Sequence, residues 1–214
     1  MALSDLLTED YKYRSDNLSS ILGLKKVGKK QGLSEERVRA ILPSFTEYVG
    51  FWREYPDKFI DFLAGPDSKF KLFFYQRVFL RAVMRHKYAY ATFPRAYSKS
   101  FLSVFVLMIR CVLYPGAKLF ITSGGKEQAA SIAKEKIEEI CELIPAFKRE
   151  IDWRPGKSLF AKDYVKIEFK NGSRLDVVAA RNSSRGGRRH GGLMEEVNKI
   201  ALTHFYPIAL GVCA

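Results

Sequence analysis

Residues 88–103 read Tyr-Ala-Tyr-Ala-Thr-Phe-Pro-Arg-Ala-Tyr-Ser-Lys-Ser-Phe-Leu-Ser. The run Tyr88 to Thr92 alternates like a strand, a short connector follows, and Lys99-Ser100 opens a helical pattern (Phe101, Leu102, Phe105, Val106, Ile109) that ends at Tyr114-Pro115-Gly116. Strand, connector, Lys-Ser and helix are the layout of a phosphate-binding loop. Such a loop needs backbone N–H groups converging at a helix N-terminus, a lysine for the β- and γ-phosphate charge, and a hydroxyl for Mg²⁺. Lys99 and Ser100 are of the right type for the last two. The full glycine pattern would put glycines at 93 and 98, where this chain has Phe93 and Ser98.

Downstream, Ala117 to Ser123 is an apolar run that predicts a buried strand. Gly124-Gly125 leads into Lys126 to Ile144, whose apolar residues keep a helical face until Pro145. Strand and helix in alternation predict an α/β fold with a mostly parallel sheet flanked by helices, and nucleotides bind such sheets at the carboxyl ends of the strands. Residues 146–163 read as irregular and basic. Tyr164 to Phe169, the turn dipeptide Asn171-Gly172 and Leu175 to Ala180 predict a β-hairpin.

Arg181-Asn-Ser-Ser-Arg-Gly-Gly-Arg-Arg-His190 follows, a glycine-containing loop with four arginines suited to phosphate oxygens, or simply to solvent. Then comes Gly191-Gly-Leu-Met-Glu-Glu196, an apolar strand end carrying two consecutive carboxylates. A second nucleotide motif asks for that pair, one carboxylate toward Mg²⁺ and one toward the attacking water. Val197 to Ala214 reads as a helix running into an apolar piece.

Upstream, residues 1–44 form a basic arm (Lys25, Lys26, Lys29, Lys30) with one helical stretch from Ser34 through Ile41, stopped by Pro43. A small DNA-binding helix-turn-helix over Val27 to Leu42 is the alternative there. Aromatic residues from Phe45 to Leu63 keep a helical period broken at Pro56, and Phe70 to Met84 carries Gln76, whose amide both donates and accepts and so suits an adenine edge. The expected domains are therefore a helical N-terminal segment, 1–44, and one α/β domain, 45–214.

Composition bounds the function. The 214 residues carry a formal charge of +13, which favours a polyanion as partner through counterion release, and a hydrophobic content of 47% is ample for a core. The three cysteines, Cys111, Cys141 and Cys213, have no metal spacing and suit reduced thiols in a cytosolic compartment. No apolar run reaches membrane-spanning length, and the acidic N-terminus (Asp5, Glu9, Asp10) is unlike a signal peptide. The expectation is an intracellular protein without membrane contact.

Taken together, Gln76, the loop Pro94-Arg95-Ala96-Tyr97-Ser98-Lys99-Ser100, the hairpin, and Arg185-Gly186-Gly187-Arg188 leading into Leu193-Met194-Glu195-Glu196 resemble the ATPase domain of tailed-phage terminase large subunits, over roughly residues 45–210. The resemblance implies a P-loop NTPase fold of the ASCE/RecA-like kind, with degenerate Walker A and Walker B motifs. It implies a Mg²⁺-dependent ATPase motor that packages double-stranded DNA into a procapsid in the host cytoplasm. ATP and Mg²⁺ would be its cofactors. Its partners would be DNA, a portal protein and a small terminase subunit, in a homo-oligomeric ring or as a monomer in isolation.

Position by position, the resemblance gives residues 94–100 to the nucleotide, Lys99 to the β- and γ-phosphates, Ser100 and Glu195 to the metal, Glu196 to water activation and Gln76 to adenine. Arg95 becomes a charge donor in cis, and Arg185, Arg188 or Arg189 a donor acting in trans. This chain departs from the family pattern at Ser98, where glycine is usual, and at Glu195, a methylene longer than Asp. The family's coupling motif and C-terminal nuclease have no room in 214 residues, so nuclease activity is not expected. Two alternatives stand beside the motor: a helicase-like, nucleic-acid-stimulated ATPase, and a catalytically inactive DNA-binding or assembly module.

Overall fold

A computed structural model describes residues 35–94, 96–162, 164–178 and 189–197. The chain divides into two compact units between Arg85 and His86.

The described residues of the N-terminal unit form the helices α1 (Glu35–Glu54), α2 (Pro56–Ala64) and α3 (Phe74–Arg85). Pro43 does not stop α1, so the boundary expected after residue 44 falls inside a helix. Pro43 is exposed, as are Leu42 and Ser44 beside it, and a proline there forgoes one backbone hydrogen bond on the solvent side of the helix. Further along, Trp52 packs edge-on to Tyr48 (ring centroids 5.4 Å) and beside Phe62 (5.2 Å), so the aromatic stripe is core. Pro56 ends one helix and starts the next by occupying the first position of α2. Asp57 is 1% exposed and is held by Arg81 (Nε to Oδ1, 2.7 Å) and Arg77 (Nη1 to Oδ2, 3.4 Å). Burial pushes its carboxyl upward, but hydrogen bonds and charge from the two guanidinium groups outweigh this and leave it below the usual aspartate range.

The second unit is mixed α/β. Its elements are α4 (Lys99–Leu113), β1 (Lys118–Thr122), α5 (Lys126–Leu143), α6 (Pro145–Glu150), β2 (Leu159–Phe160), β3 (Val165–Glu168), β4 (Arg174–Val177) and β5 (Gly191–Met194). Among the described residues five strands form one sheet in the order β2-β3-β4-β1-β5, with β1 parallel to both β4 and β5, and with β2-β3 and β3-β4 antiparallel. The expected strand at 117–123, the helix from Lys126 and the hairpin are all present. Residues 146–163 are more regular than expected, since α6 and β2 fall there.

Helix α4 is apolar around most of its circumference and is correspondingly buried, with Leu102, Val104, Phe105, Met108, Ile109 and Cys111 all at 0% exposure. It packs on β1, β4, β5 and α5. Its C-terminal carbonyls are capped from a distance: the Asn171 amide donates to Cys111 O (2.8 Å) and Val112 O (3.1 Å), so the hairpin turn also ties the sheet to the central helix. Gly172 occupies that turn at φ 83°.

Two strand expectations need correction or comment. Tyr88 to Thr92 is not a strand. The segment is irregular and lies on the surface, with Tyr88 63% and Tyr90 85% exposed. Aromatic and β-branched residues favour a strand only where a neighbouring strand and a packed face receive them, and among the described residues nothing pairs with this segment. The glycines that thin β5 do have a packing reason. A Cβ at Gly192 would lie 2.2 Å from Cδ1 of Phe120, whose ring is 2% exposed and packs with Val178 and Met194.

Candidate nucleotide and metal site

The site lies where α4 begins and β5 ends. Lys99 and Ser100 are the first two residues of α4, and its first turn carries no acidic side chain, so its positive dipole end has no carboxylate of its own. The preceding loop is bent through left-handed backbone at Ala96 (φ 66°) and Ser98 (φ 50°). Ser98 is the position where the glycine pattern would have its second glycine, and its φ supplies the physical reason: a side chain there costs about 1 kcal/mol. Pro94, Ala96, Tyr97, Ser98, Lys99 and Ser100 line one side of a cleft of roughly 340 Å³, faced by Lys136 and Glu139 of α5.

Strand β5 delivers the carboxylates. Glu195 continues the ladder by donating its N–H to Thr122 O at the end of β1 (2.8 Å), which fixes its side chain over the start of α4. There it is 5% exposed and accepts a short hydrogen bond from Ser100 Oγ to Oε1. Lys99 Nζ lies 3.9 Å from the same Oε1. The other oxygen, Oε2, is buried without a hydrogen-bond partner, as are Thr122 Oγ1 and Ser123 Oγ at the tip of β1. Buried polar atoms are ordinarily satisfied, so three orphans on adjacent strand ends mark a place suited to another polar species. Glu196 follows in left-handed backbone, φ 49°, and its Oε2 accepts a hydrogen bond from Gln128 Nε2 (3.1 Å) in α5.

Ser100 Oγ and the Glu195 carboxylate are the donor set that fits Mg²⁺. This ion commonly takes one or two protein oxygens and fills its octahedron with water and substrate phosphate oxygens. Among the described residues no group of three or more His, Cys, Asp or Glu side chains gathers to hold a metal.

The structure thus brings Lys99, Ser100, Glu195 and the preceding loop together and holds Glu196 beside α5. Arg95, Arg185 and Arg188 lie outside the described residues. Arg189, a candidate donor in trans, is instead committed within its own chain: its side chain is 10% exposed and pairs with buried Asp176 (Nη2 to Oδ2, 2.7 Å). Pulling it out would deprive the buried Asp176 of its nearer partner and leave it the Arg174 guanidinium (Nη2 to Oδ2, 3.2 Å). Gln76 belongs to the N-terminal unit, is 6% exposed, and caps its own helix: Oε1 accepts the N–H of Phe73, the residue before α3, at 2.9 Å. That engages the acceptor which the adenine role requires.

Gln128 escapes sequence reasoning altogether. A glutamine in the first turn of a helix reads as an ordinary polar residue, and nothing local links it to residue 196. No protein-family model matches this sequence, and neither does any curated protein. Among the described residues no helix is long and apolar enough to cross a membrane.

Proposed function

We propose that this protein is a Mg²⁺-dependent ATPase of the P-loop type, and that it serves as the motor subunit of a viral DNA-packaging terminase. The observation that carries the reading is the hydrogen bond from Ser100 Oγ to Glu195 Oε1, which joins residues 95 apart in sequence at a helix N-terminus. A lysine, a hydroxyl and a buried carboxylate converging there are the elements that phosphoryl transfer uses. The terminase reading draws support from the order of motifs along the chain and from the +13 charge, which suits a DNA partner.

Phosphoryl transfer leaves the protein little covalent chemistry, so its residues act by placement and charge. The α4 N-terminus and Lys99 Nζ oppose the negative charge that grows on the β- and γ-oxygens. Ser100 Oγ and Glu195 would hold Mg²⁺, which when bound neutralises charge between those phosphates. Glu196 accepts a proton from the attacking water at its carboxylate.

The test is calorimetric titration with ATP and Mg²⁺, followed by turnover assays. The parent binds and hydrolyses ATP, and double-stranded DNA raises the rate. Lys99→Ala loses turnover but keeps salt-sensitive DNA binding, and Glu196→Gln binds ATP without hydrolysing it. Absence of binding at millimolar nucleotide refutes the ATPase and leaves an assembly module. Turnover indifferent to double-stranded DNA refutes the packaging motor alone.

A further inference from the structure

Glutamine stands at the third position of two helices in this protein, and its side chain does different work in each. In α3, Gln76 turns back and accepts the N–H of Phe73, completing a local cap. Gln128 has the equivalent place in α5, where Gly125 is the residue before the helix. Its amide reaches across 68 residues to Glu196 Oε2 instead, at 3.1 Å. Glu196 itself is held in left-handed backbone, φ 49°, a conformation that a glutamate adopts only when its surroundings impose it.

The adjacent carboxylates are thereby fixed by separate elements, Glu195 by the start of α4 and Glu196 by the start of α5. We propose that Gln128 is a positioning residue for Glu196: its amide fixes the carboxylate that activates the attacking water and so sets the hydrolytic rate without contributing to nucleotide affinity. The inference rests on the reading of Glu196 as that water-activating group. The chemistry fits the task. A neutral amide N–H orients a carboxylate by a directional hydrogen bond without drawing it into an ion pair, as a lysine at 128 would. The Gly124-Gly125 connection, directly after the β1 tip, sets where that amide lies relative to β5.

The test compares Gln128→Leu with the parent in steady-state ATP hydrolysis, alone and in a Glu196→Gln background, with thermal melting as the check on folding. Gln128 is exposed, so the variant should melt with the parent. Loss of one hydrogen bond to a charged group predicts a fall in kcat of about tenfold, with KM within about twofold. In the Glu196→Gln background the same substitution should change the residual rate less than about twofold, because the group through which it acts is already gone. A parent-like kcat for Gln128→Leu, a change confined to KM, or an equal fall in both backgrounds overturns the proposal while leaving the ATPase reading intact. A parent that does not hydrolyse ATP overturns both.

Discussion

Replacing Gly192 by alanine tests the packing that delivers the carboxylates. The added methyl would sit 2.2 Å from Cδ1, 2.3 Å from Cε1 and 2.6 Å from Cγ of Phe120. Carbon atoms in contact are about 3.5–4.0 Å apart, so the overlap is about 1 Å or more at three ring atoms. The ring has nowhere to go, being 2% exposed and packed against Val178 and Met194. Either Phe120 leaves its rotamer or β5 lifts away from β1. Overpacking of this kind costs about 1–3 kcal/mol, and with three atoms overlapping the upper end applies, which corresponds to a fall in Tm on the order of 10 °C.

Thermal and urea denaturation of Gly192→Ala, Phe120→Leu and the double variant make the assay. Phe120→Leu alone should destabilise through lost packing, but it removes the atoms that the methyl would meet. The double variant should therefore be more stable than the sum of the single effects by at least about 1 kcal/mol. Gly192→Ala within about 0.5 kcal/mol of the parent, or strict additivity in the double variant, refutes the reasoning. Because Glu195 directly follows β5, the proposed ATPase reading adds that Mg²⁺-nucleotide affinity should fall together with stability.

Three further outcomes follow from the geometry. Ser98→Gly relieves left-handed backbone at φ 50° and should leave the protein as stable as the parent or up to about 1 kcal/mol more so, whereas Ser98→Val should lose more than about 1 kcal/mol in urea titrations. Asp57 has its carboxyl lowered in the folded state, so its contribution to stability is present above the ordinary aspartate value of about 4 and is lost as pH falls through and below it. The urea midpoint of the N-terminal unit should drop between about pH 5 and pH 3, and Asp57→Asn should flatten that drop. Burial pushes the Cys141 thiol up to about 11 and raises that of Cys111 as well, so neither should react with a thiol reagent at pH 8 until the protein unfolds, as mass spectrometry of the labelled protein would show.

Much of the second unit could be read from the residues alone. The apolar runs at 101–113 and 118–122 bury themselves wherever they are placed, and Asn171-Gly172 forms its turn from local backbone preference, so periodicity and turn chemistry suffice to specify α4, β1 and the hairpin. The Lys99-Ser100 and Glu195-Glu196 pairs were likewise visible as residue types. That Ser100 and Glu195 should meet was implied only by the resemblance and not by any local pattern, because it depends on β5 lying parallel to β1 and on the ladder extending to Glu195.

What the sequence determined without help was the set of segments that must be buried and the residue types able to handle phosphate and metal, since both follow from local pattern and side-chain chemistry. The tertiary structure alone decided which of them are engaged, and with what. It left Tyr88 to Thr92 without a strand partner, committed Arg189 to Asp176, turned Gln76 back onto its own helix and aimed Gln128 at Glu196. The physical reason is that a strand or a polar side chain is stabilised by what faces it; Gln76 is met by Phe73 three positions back, whereas the groups facing Arg189, Gln128 and Ser100 come from residues 13 to 95 positions away.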